Sequence, residues 1–395
     1  MSAPAATTRR LELADIVREH AGRLEGLTLG QERVLHAIAN CRTAALGGHV
    51  RQCDHCGHQE ISYNSCRDRH CPKCQGLDEA RWVEAREADL LPVPYFHIVF
   101  TVPDEIHALF LVNPTATYNL LFQAVAETLQ EVALRRLGAK IGFTAVLHTW
   151  TQVLLYHPHV HCIVPGGGLD PNGKRWISAK PDFFLPVRVL SEVFRGKILS
   201  KLERALRQGR IRGRSDDDPS DLLQRAARKK WVVYCKPPFA GPQQVLAYLG
   251  RYTNRIAISN DRLVAMRDGQ VTFRWKDRAH DNAPRQLELD ALTFLRRFLL
   301  HVLPGHLVRI RHYGFLANSV REKQLAQCRA ALDIPEQEVD PEAEKQTEKW
   351  QEMLLRLTGK DVTLCPSCRA GRLVLVEELP ASPVPWKVAR AGRSP

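Results

Sequence analysis

The stretch HPHVHCIVPGGG, residues 157–168, combines closely spaced histidines with a run of apolar residues. A run of this kind, closed by glycines, predicts a buried β-strand. Residues two apart on a strand point to the same face, so His159 and His161 project together while Val160 faces the other side. Two imidazoles at this spacing can bind one divalent ion. The motif alone is equally compatible with surface or packed core histidines, so other features must decide between these readings.

The preceding sequence HTWTQ, residues 148–152, offers two candidates for a third metal ligand. A strand is predicted from Gly142 to Leu155, and His148 and Gln152 share a face of it by the same parity. If this strand and the next pair as a hairpin, Gln152 lies nearer the histidine pair. We therefore expect Gln152 to be the third ligand, with His148 as the alternative.

The segments around these motifs predict an α+β fold in which the strands cluster. Apolar spacing and turn residues separate the predicted strands from amphipathic helices. The predicted elements are a strand at 95–103, a helix at 104–137, strands at 142–155, 159–169 and 231–235, and a meander at 255–259, 262–267 and 270–275.

Two tyrosines are spaced one helical turn apart in AYLGRYT, residues 247–253. On the helix predicted for residues 243–252, Tyr248 and Tyr252 lie about 5–6 Å apart on one face. An aromatic stripe packed into a core would have the same spacing. The neighbouring Arg251 and Arg255 instead indicate a solvent-exposed, cationic surface. We therefore expect both phenols to face the same metal ion as the histidines.

The composition indicates a polyanionic partner. The chain has 395 residues, a net charge of +13 and a pI near 9.4, which suits binding to nucleic acid. The predicted helix at 190–212 is strongly basic, and Glu203 is the single acid among its cations from Arg195 to Arg212. We expect the DNA backbone to contact Arg195, Lys197, Lys201, Arg204, Arg207, Arg251 and Arg255.

The sequence shows no membrane-spanning or secretory signal. It contains no run of 18 apolar residues, and its first 15 residues have no apolar core. We therefore expect a cytoplasmic protein whose cysteines bind metal rather than form disulfides.

Two C-x2-C pairs predict a structural zinc site in residues 51–80, a region with little apolar content of its own. Four thiolates satisfy the tetrahedral preference of Zn2+, and the pairs are Cys53 with Cys56 and Cys71 with Cys74. Cys66 and His70 lie between the pairs and are possible substitutes. We expect the all-cysteine set.

A third pair, Cys365 and Cys368, is half of such a site. It is followed by no second pair, and Cys328 is the nearest cysteine upstream. Either it contributes to a second zinc site or its thiols are unliganded. We expect Cys41, Cys162 and Cys235 to be small core residues because their sequence contexts are apolar.

Taken together, these motifs resemble those of the HUH endonucleases, and in particular the two-tyrosine rolling-circle transposases of insertion-sequence family 91. The resemblance runs from about residue 27 to residue 368. It is carried by YNSCRDRHCPKCQ, YFHIVFTVP, HTWTQ, HPHVHCIVPGGG, YLGRYTNRIAIS and RHYGF, and the order of these motifs makes the match specific. The resemblance implies a ferredoxin-like antiparallel sheet flanked by helices, with an N-terminal zinc-binding domain.

The resemblance also implies a domain organisation. Residues 1–92 would form a helical segment and the zinc-binding domain, and residues 93–333 the endonuclease domain with a basic helical insertion at 188–230. Residues 334–395 would form a linker, a C-x2-C knuckle and a basic tail.

The activity implied is rolling-circle DNA transposition, in which Tyr248 and Tyr252 form 5′-phosphotyrosine links with single-stranded DNA. Mg2+ or Mn2+ would be bound by His159, His161 and Gln152, and Zn2+ would be structural. Two alternatives remain: a plasmid replication initiator or relaxase with the same chemistry, and a non-catalytic zinc-finger regulator. The oligomeric state is not indicated.

Overall fold

The computed structural model describes residues 10–74, 76–214, 217–236, 244, 246, 250, 256–277, 280–335 and 348–382. The helices are α1 (Leu13–His20), α2 (Leu29–Asn40), α3 (Gly76–Glu87), α4 (His107–Val112), α5 (Pro114–Leu137), α6 (Val187–Arg207), α7 (Pro219–Arg228), α8 (Ala291–Leu299), α9 (Arg321–Ala331) and α10 (Trp350–Thr358). The strands are β1 (Gly48–Cys53), β2 (Gln59–Tyr63), β3 (Tyr95–Thr101), β4 (Phe143–Trp150), β5 (Tyr156–Pro165), β6 (Gly167–Leu169), β7 (Trp176–Ser178), β8 (Val233–Lys236), β9 (Leu263–Arg267), β10 (Gln270–Asp277), β11 (Ala283–Asp290), β12 (Ile310–Tyr313) and β13 (Leu373–Leu379).

The largest sheet has five strands in the order β12-β4-β5-β3-β8, and every neighbouring pair is antiparallel. The chain passes through β3, α5, β4, β5, α6 and β8 in turn, which is the βαββαβ sequence of a ferredoxin-like fold. Strand β12 extends the sheet beyond β4. The predicted α+β class and ferredoxin-like core are confirmed.

The two faces of this sheet differ in what covers them. One face packs against α5 and α6, with Phe96, Ile98 and Phe100 of β3 fully buried. Phe100 meets Phe194 of α6 with ring centroids 5.0 Å apart. Each such side chain contributes about 1.5–3 kcal/mol through burial. This face forms the core, and the opposite face carries the histidines.

Four predicted elements differ from the structure. The strand expected at 159–169 is divided at Gly166 into β5 and β6, which belong to different sheets. The helix expected at 104–137 is interrupted at Asn113, because Pro114 has no N–H and starts a new helix. The strand expected at 142–155 ends at Trp150, since the chain turns between Thr151 and Leu155. The meander consists of β9, β10 and β11. Its first two strands correspond to those expected at 262–267 and 270–275, and its third strand is β11 rather than the strand expected at 255–259.

A second sheet joins the two ends of the described chain. Its order is β13-β1-β2, and residues 48–53 of β1 pair with residues 373–379 of β13. The C-terminal strand therefore belongs with the N-terminal zinc region in space, although the sequence prediction assigned it to a separate C-terminal unit. Among the described residues, no helix is long and apolar enough to cross a membrane.

A buried histidine makes the stability of the fold pH-dependent. His301 is fully buried; its Nδ1 lies 3.2 Å from the hydroxyl of Thr149 and its Nε2 3.2 Å from the carbonyl oxygen of Leu154. Burial lowers the pKa of His301 to about 4, because desolvation disfavours the imidazolium. The unfolded chain, with a histidine pKa of about 6.5, binds the proton first.

We therefore expect the free energy of unfolding to fall as the pH drops from about 6.5 to about 4, by up to about 1.4 kcal/mol per pH unit from this residue. Urea unfolding at several pH values, compared with His301→Gln, measures this contribution. The unfolding free energy of His301→Gln should change less with pH than that of the wild type. Replacing the exposed His280 by glutamine should leave the pH dependence unchanged. Parallel slopes for the wild type and His301→Gln would contradict the assignment.

Candidate active site and metal centres

Three histidines converge on the face of the large sheet that is turned away from α5 and α6. His148 of β4 lies directly opposite His159 of β5, and His161 follows two residues later on the same face. One ring nitrogen from each of the three lies within 4.8 Å of the others. We call His148, His159 and His161 the histidine cluster. Three imidazoles at this spacing form a donor set for one divalent ion.

Hydrogen bonds orient two rings of the cluster. Nδ1 of His159 donates to the carbonyl oxygen of His157, at 2.5 Å. Nδ1 of His161 lies 2.7 Å from Nε2 of His97, and the two rings lie edge to edge and nearly coplanar, with centroids 5.0 Å apart. When Nδ1–H donates in both cases, each ring keeps its Nε2 lone pair for an ion. His97 was missed at the sequence level, because only the register of β3 against β5 places it beside His161.

The expected third ligand, Gln152, does not lie on the strand. It lies in the turn that joins β4 to β5, beyond the pair formed by Trp150 and Tyr156. Arg262 donates to the carbonyl oxygen of Gln152, and Arg297 donates to that of Val153 at 3.2 Å. The parity argument fails because the strand has ended. The structure instead brings His148, the alternative, to the histidine pair.

Helix α3 covers the part of this face next to the histidine cluster. Trp82 of α3 packs against a small apolar group that contains Val146 and Ile163, the neighbours of the histidines on β4 and β5. A terminal guanidinium nitrogen of Arg86, near the end of α3, lies within hydrogen-bonding distance of Nε2 of His312 on β12, at 3.3 Å. Helix α3 therefore closes the face beside the histidine cluster, in which His148 and His161 are themselves buried and His159 is partly exposed.

The described residues of the tyrosine motif region, Leu246 and Gly250, lie on the same side of the sheet as the histidine cluster. Leu246 is buried and lines a small cavity with Thr144 and Ile163. Gly250 approaches α3 so closely that a side chain there would overlap Val83. The predicted site residues Tyr248, Tyr252, Arg251 and Arg255 lie outside the described residues.

The four cysteines predicted to share one zinc ion belong to two separate clusters. Cys71 and Cys74 group with Cys41 and Cys66, which we call the N-terminal cysteine cluster. Cys53 and Cys56 group with Cys365 and Cys368, which we call the end-to-end cysteine cluster. The predicted set is corrected in this way because β1 carries its cysteine pair toward β13, away from residues 66–74.

The N-terminal cysteine cluster combines the end of α2 with the loop before α3. The Sγ atom of Cys74 lies 3.3 Å from that of Cys41 and 3.5 Å from that of Cys66. Cys41 directly follows α2 and is fully buried, which explains its apolar sequence context. The expectation that it is a plain core residue is therefore corrected, whereas Cys162 is the buried core residue expected.

His70 and Arg69 attach this loop to the main domain. His70 shares its Nδ1 proton with Asp68 at 2.8 Å, and its Nε2 accepts the N–H of Leu303 at 3.2 Å. Arg69 donates to the carbonyl oxygen of Leu307 at 2.9 Å. Both ring nitrogens of His70 are thus used, and burial lowers its pKa, which favours the neutral form. His70 acts as an anchor between domains.

The basic helix α6 divides into paired and exposed cations. Lys197 lies 2.8 Å from Glu131 and Lys201 lies 2.7 Å from Glu127, both on the neighbouring α5. Arg204 and Arg207 are exposed, and Arg195 is half-buried. The sequence could not show that glutamates of α5 pair with these two lysines of α6. Arg204 and Arg207 are thus solvent-exposed cations on this helix.

Comparison with known proteins agrees with this arrangement. A family described as a putative transposase matches residues 142–324, which include all three members of the histidine cluster. A family described as a transposase zinc-binding domain matches residues 13–102. The putative transposase y4qJ of Sinorhizobium fredii (strain NBRC 101917 / NGR234) is 50% identical over 380 residues, which cover 93% of this chain and 95% of that protein.

The chain belongs to the IS91 family of transposases. The transposase for insertion sequence element IS801 of Pseudomonas savastanoi pv. phaseolicola is 30% identical over 310 residues, covering 74% of this chain and 72% of that one. The zinc-binding match contains the whole N-terminal cysteine cluster of this IS91-family transposase. It contains only the Cys53 and Cys56 half of the end-to-end cysteine cluster.

Among solved structures, a conjugative relaxase, TrwC in complex with oriT DNA, aligns with 40% of this chain and 68% of its own. The sequence identity is 13% and the TM-score 0.24, which is too low to support a conclusion about this transposase.

Proposed function

We propose that this transposase cleaves and rejoins single-stranded DNA at the histidine cluster, with Tyr248 and Tyr252 as nucleophiles, and that it moves DNA by a rolling-circle route. The observation that carries the proposal is the convergence of three imidazoles on the sheet face where Leu246 and Gly250, the described neighbours of the tyrosines, also lie.

The histidine cluster fits a divalent ion that acts on phosphate. Its three donors are neutral imidazoles, so a bound ion keeps its full positive charge toward an anionic ligand. Mg2+ and Mn2+ both coordinate phosphate oxygens, and imidazole suits Mn2+ as well. Bound there, the ion would neutralise charge that develops on the scissile phosphate.

The tyrosines supply the covalent step. The phenol oxygen attacks phosphorus, the bond from phosphorus to the 3′ oxygen breaks, and the phenol proton ends on the released 3′-hydroxyl. The tyrosine then carries the 5′-phosphate. Because one phosphodiester replaces another, the bond energy is retained and a 3′-hydroxyl can reverse the step without ATP. Two tyrosines allow two DNA ends to be held at once.

The N-terminal cysteine cluster is proposed as the structural zinc site of the zinc-binding domain. Its four thiols match the donor set that Zn2+ prefers. Through Arg69 and His70, the loop that carries Cys71 and Cys74 is bound to residues 303–307. The ion would thus fix the zinc-binding domain against the main domain.

The proposal is tested with single-stranded oligonucleotides that tile the DNA on both sides of the gene, labelled at the 3′ end. In the presence of Mg2+ or Mn2+, we expect a labelled covalent protein–DNA adduct that withstands a denaturing gel. When EDTA is present from the start of the reaction, the adduct should not form. Peptide mass mapping should place the DNA on residue 248 or 252. A shift in native mobility with no nick and no adduct would instead favour a non-catalytic zinc-finger regulator.

His97 offers a test of how the cluster is oriented. His97→Phe keeps an aromatic ring beside His161 but removes the hydrogen bond to its Nδ1. Loss of such a supporting partner weakens metal binding by about 10- to 100-fold. We expect the metal concentration for half-maximal cleavage to rise by this factor, with most of the activity restored at saturating Mn2+.

His97→Gln, which can still hydrogen-bond, should recover part of the metal affinity. An unchanged metal dependence in His97→Phe would contradict a positioning role. A loss of cleavage that no metal concentration restores would point to structural damage instead, and would also contradict it.

A further inference from the structure

The end-to-end cysteine cluster joins residues that lie 309 and more positions apart in the chain. Sγ of Cys56 lies 3.7 Å from Sγ of Cys365, and Sγ of Cys53 lies 3.7 Å from Sγ of Cys368. All four sulfur atoms lie within 4.8 Å of one another. A disulfide needs about 2.05 Å, so these sulfurs are not bonded to each other. A zinc–sulfur distance of about 2.3 Å places tetrahedral ligands about 3.8 Å apart, which matches the observed spacing.

Backbone N–H groups already point at these sulfur atoms. His55 and Cys56 direct their N–H groups at Sγ of Cys53, at 3.4 and 3.5 Å, and Gly371 directs its own at Sγ of Cys368, at 3.4 Å. Such donors stabilise negatively charged thiolates. A side chain at Gly371 would overlap Sγ of Cys53, so glycine allows the two turns to meet.

The strand that this cluster holds has little hydrophobic support. Within β13 only Leu373 is buried, whereas Val374, Leu375 and Val376 are about half-exposed. The nearby Arg356 of α10 pairs with Glu84 of α3 at 2.7 Å, but both side chains are exposed, and such pairs contribute little. Small elements without a core of their own are commonly stabilised by a metal.

We propose that Cys53, Cys56, Cys365 and Cys368 bind a second zinc ion, which fastens the C-terminal strand β13 to β1. Neither family match extends to Cys365 or Cys368. The binding energy of the ion would offset the entropic cost of closing the loop of about 309 residues between Cys56 and Cys365. The ion also holds α10 beside α3, the helix that packs over the sheet face of the histidine cluster.

The test is the zinc content of the full chain after dialysis against metal-free buffer, measured by mass spectrometry. We expect the double variant Cys365→Ser, Cys368→Ser to hold one zinc ion per chain fewer than the wild type, whatever zinc the histidine cluster retains. The matched control Cys235→Ser removes a half-buried thiol outside both clusters and should hold as much zinc as the wild type. Equal zinc contents in the wild type and the double variant would overturn the proposal.

A second measurement on the wild type does not depend on the variant folding. Cys56 is exposed and Cys368 is half-buried, so burial alone cannot protect them from an alkylating reagent. We expect both to resist iodoacetamide in the zinc-loaded chain and to react once a chelator is added. Rapid alkylation of Cys56 and Cys368 in the zinc-loaded protein would rule out the site.

Discussion

Replacing Tyr248 and Tyr252 together by phenylalanine is expected to reduce covalent attachment of single-stranded DNA by several orders of magnitude, as removal of a nucleophile does in other enzymes. Phenylalanine preserves the ring and removes only the oxygen that attacks phosphorus. An unaided phenol is ionised in only about one molecule in a thousand at neutral pH, so other residues cannot easily replace a positioned pair. The adduct on a denaturing gel is the measurement.

The chain offers a stringent control for this experiment. Tyr234 of β8 is 44% exposed and lies across β3 from His161, on the same face of the sheet. It is therefore the described tyrosine best placed to be mistaken for the nucleophile. Tyr234→Phe should retain the adduct. Loss of the adduct in Tyr234→Phe, or its persistence in the double variant, would show that the nucleophile is assigned to the wrong residues.

Replacing His159 by alanine is expected to lower metal-dependent cleavage by at least about 10²-fold, the loss typical when one electrostatic contact to a reacting group is removed. DNA binding should persist, because it depends on the cationic surface, including Arg204 and Arg207, rather than on this ring. Cleavage rates and filter-binding affinities measured on the same preparations separate the two effects. His280→Ala, which removes an exposed imidazole elsewhere, is the matched control.

The third ligand can be decided by a matched pair of variants. His148→Ala should reduce metal affinity and cleavage as His159→Ala does, because its ring nitrogen completes the cluster. Gln152→Ala should leave both nearly unchanged, because Gln152 lies in the turn beyond the strand. The opposite ranking would restore the assignment that the strand parity predicted.

Local features of the sequence were sufficient for much of the fold and part of the site. The spacing of His159 and His161 required only the two-residue period of a strand, and the structure places both on one face. The order of strands and helices from β3 to β8 followed from apolar periodicity and turn residues. These predictions succeeded because they concern neighbours in the chain, whose geometry is set by backbone stereochemistry.

Boundaries failed where a backbone conformation overrode the pattern. The apolar residues of 151–155 resemble a continued strand, but Leu154 adopts a positive φ of 61° and the chain reverses. Strand parity therefore does not apply to Gln152, which lies beyond the end of β4. Likewise, the sequence predicted that Lys197 and Lys201 are available to DNA, because it does not reveal that their acidic partners lie on another helix, α5.

By itself the sequence determined the residue types of each centre: paired histidines on a strand, pairs of cysteines separated by two residues, and a strongly basic chain. Only the tertiary structure decided which of them meet. His97 reaches His161 through the register between two strands, and Cys53 reaches Cys368 across 315 positions because β1 pairs with β13. Such partners depend on how separate segments pack, and spacing along the chain carries no information about that.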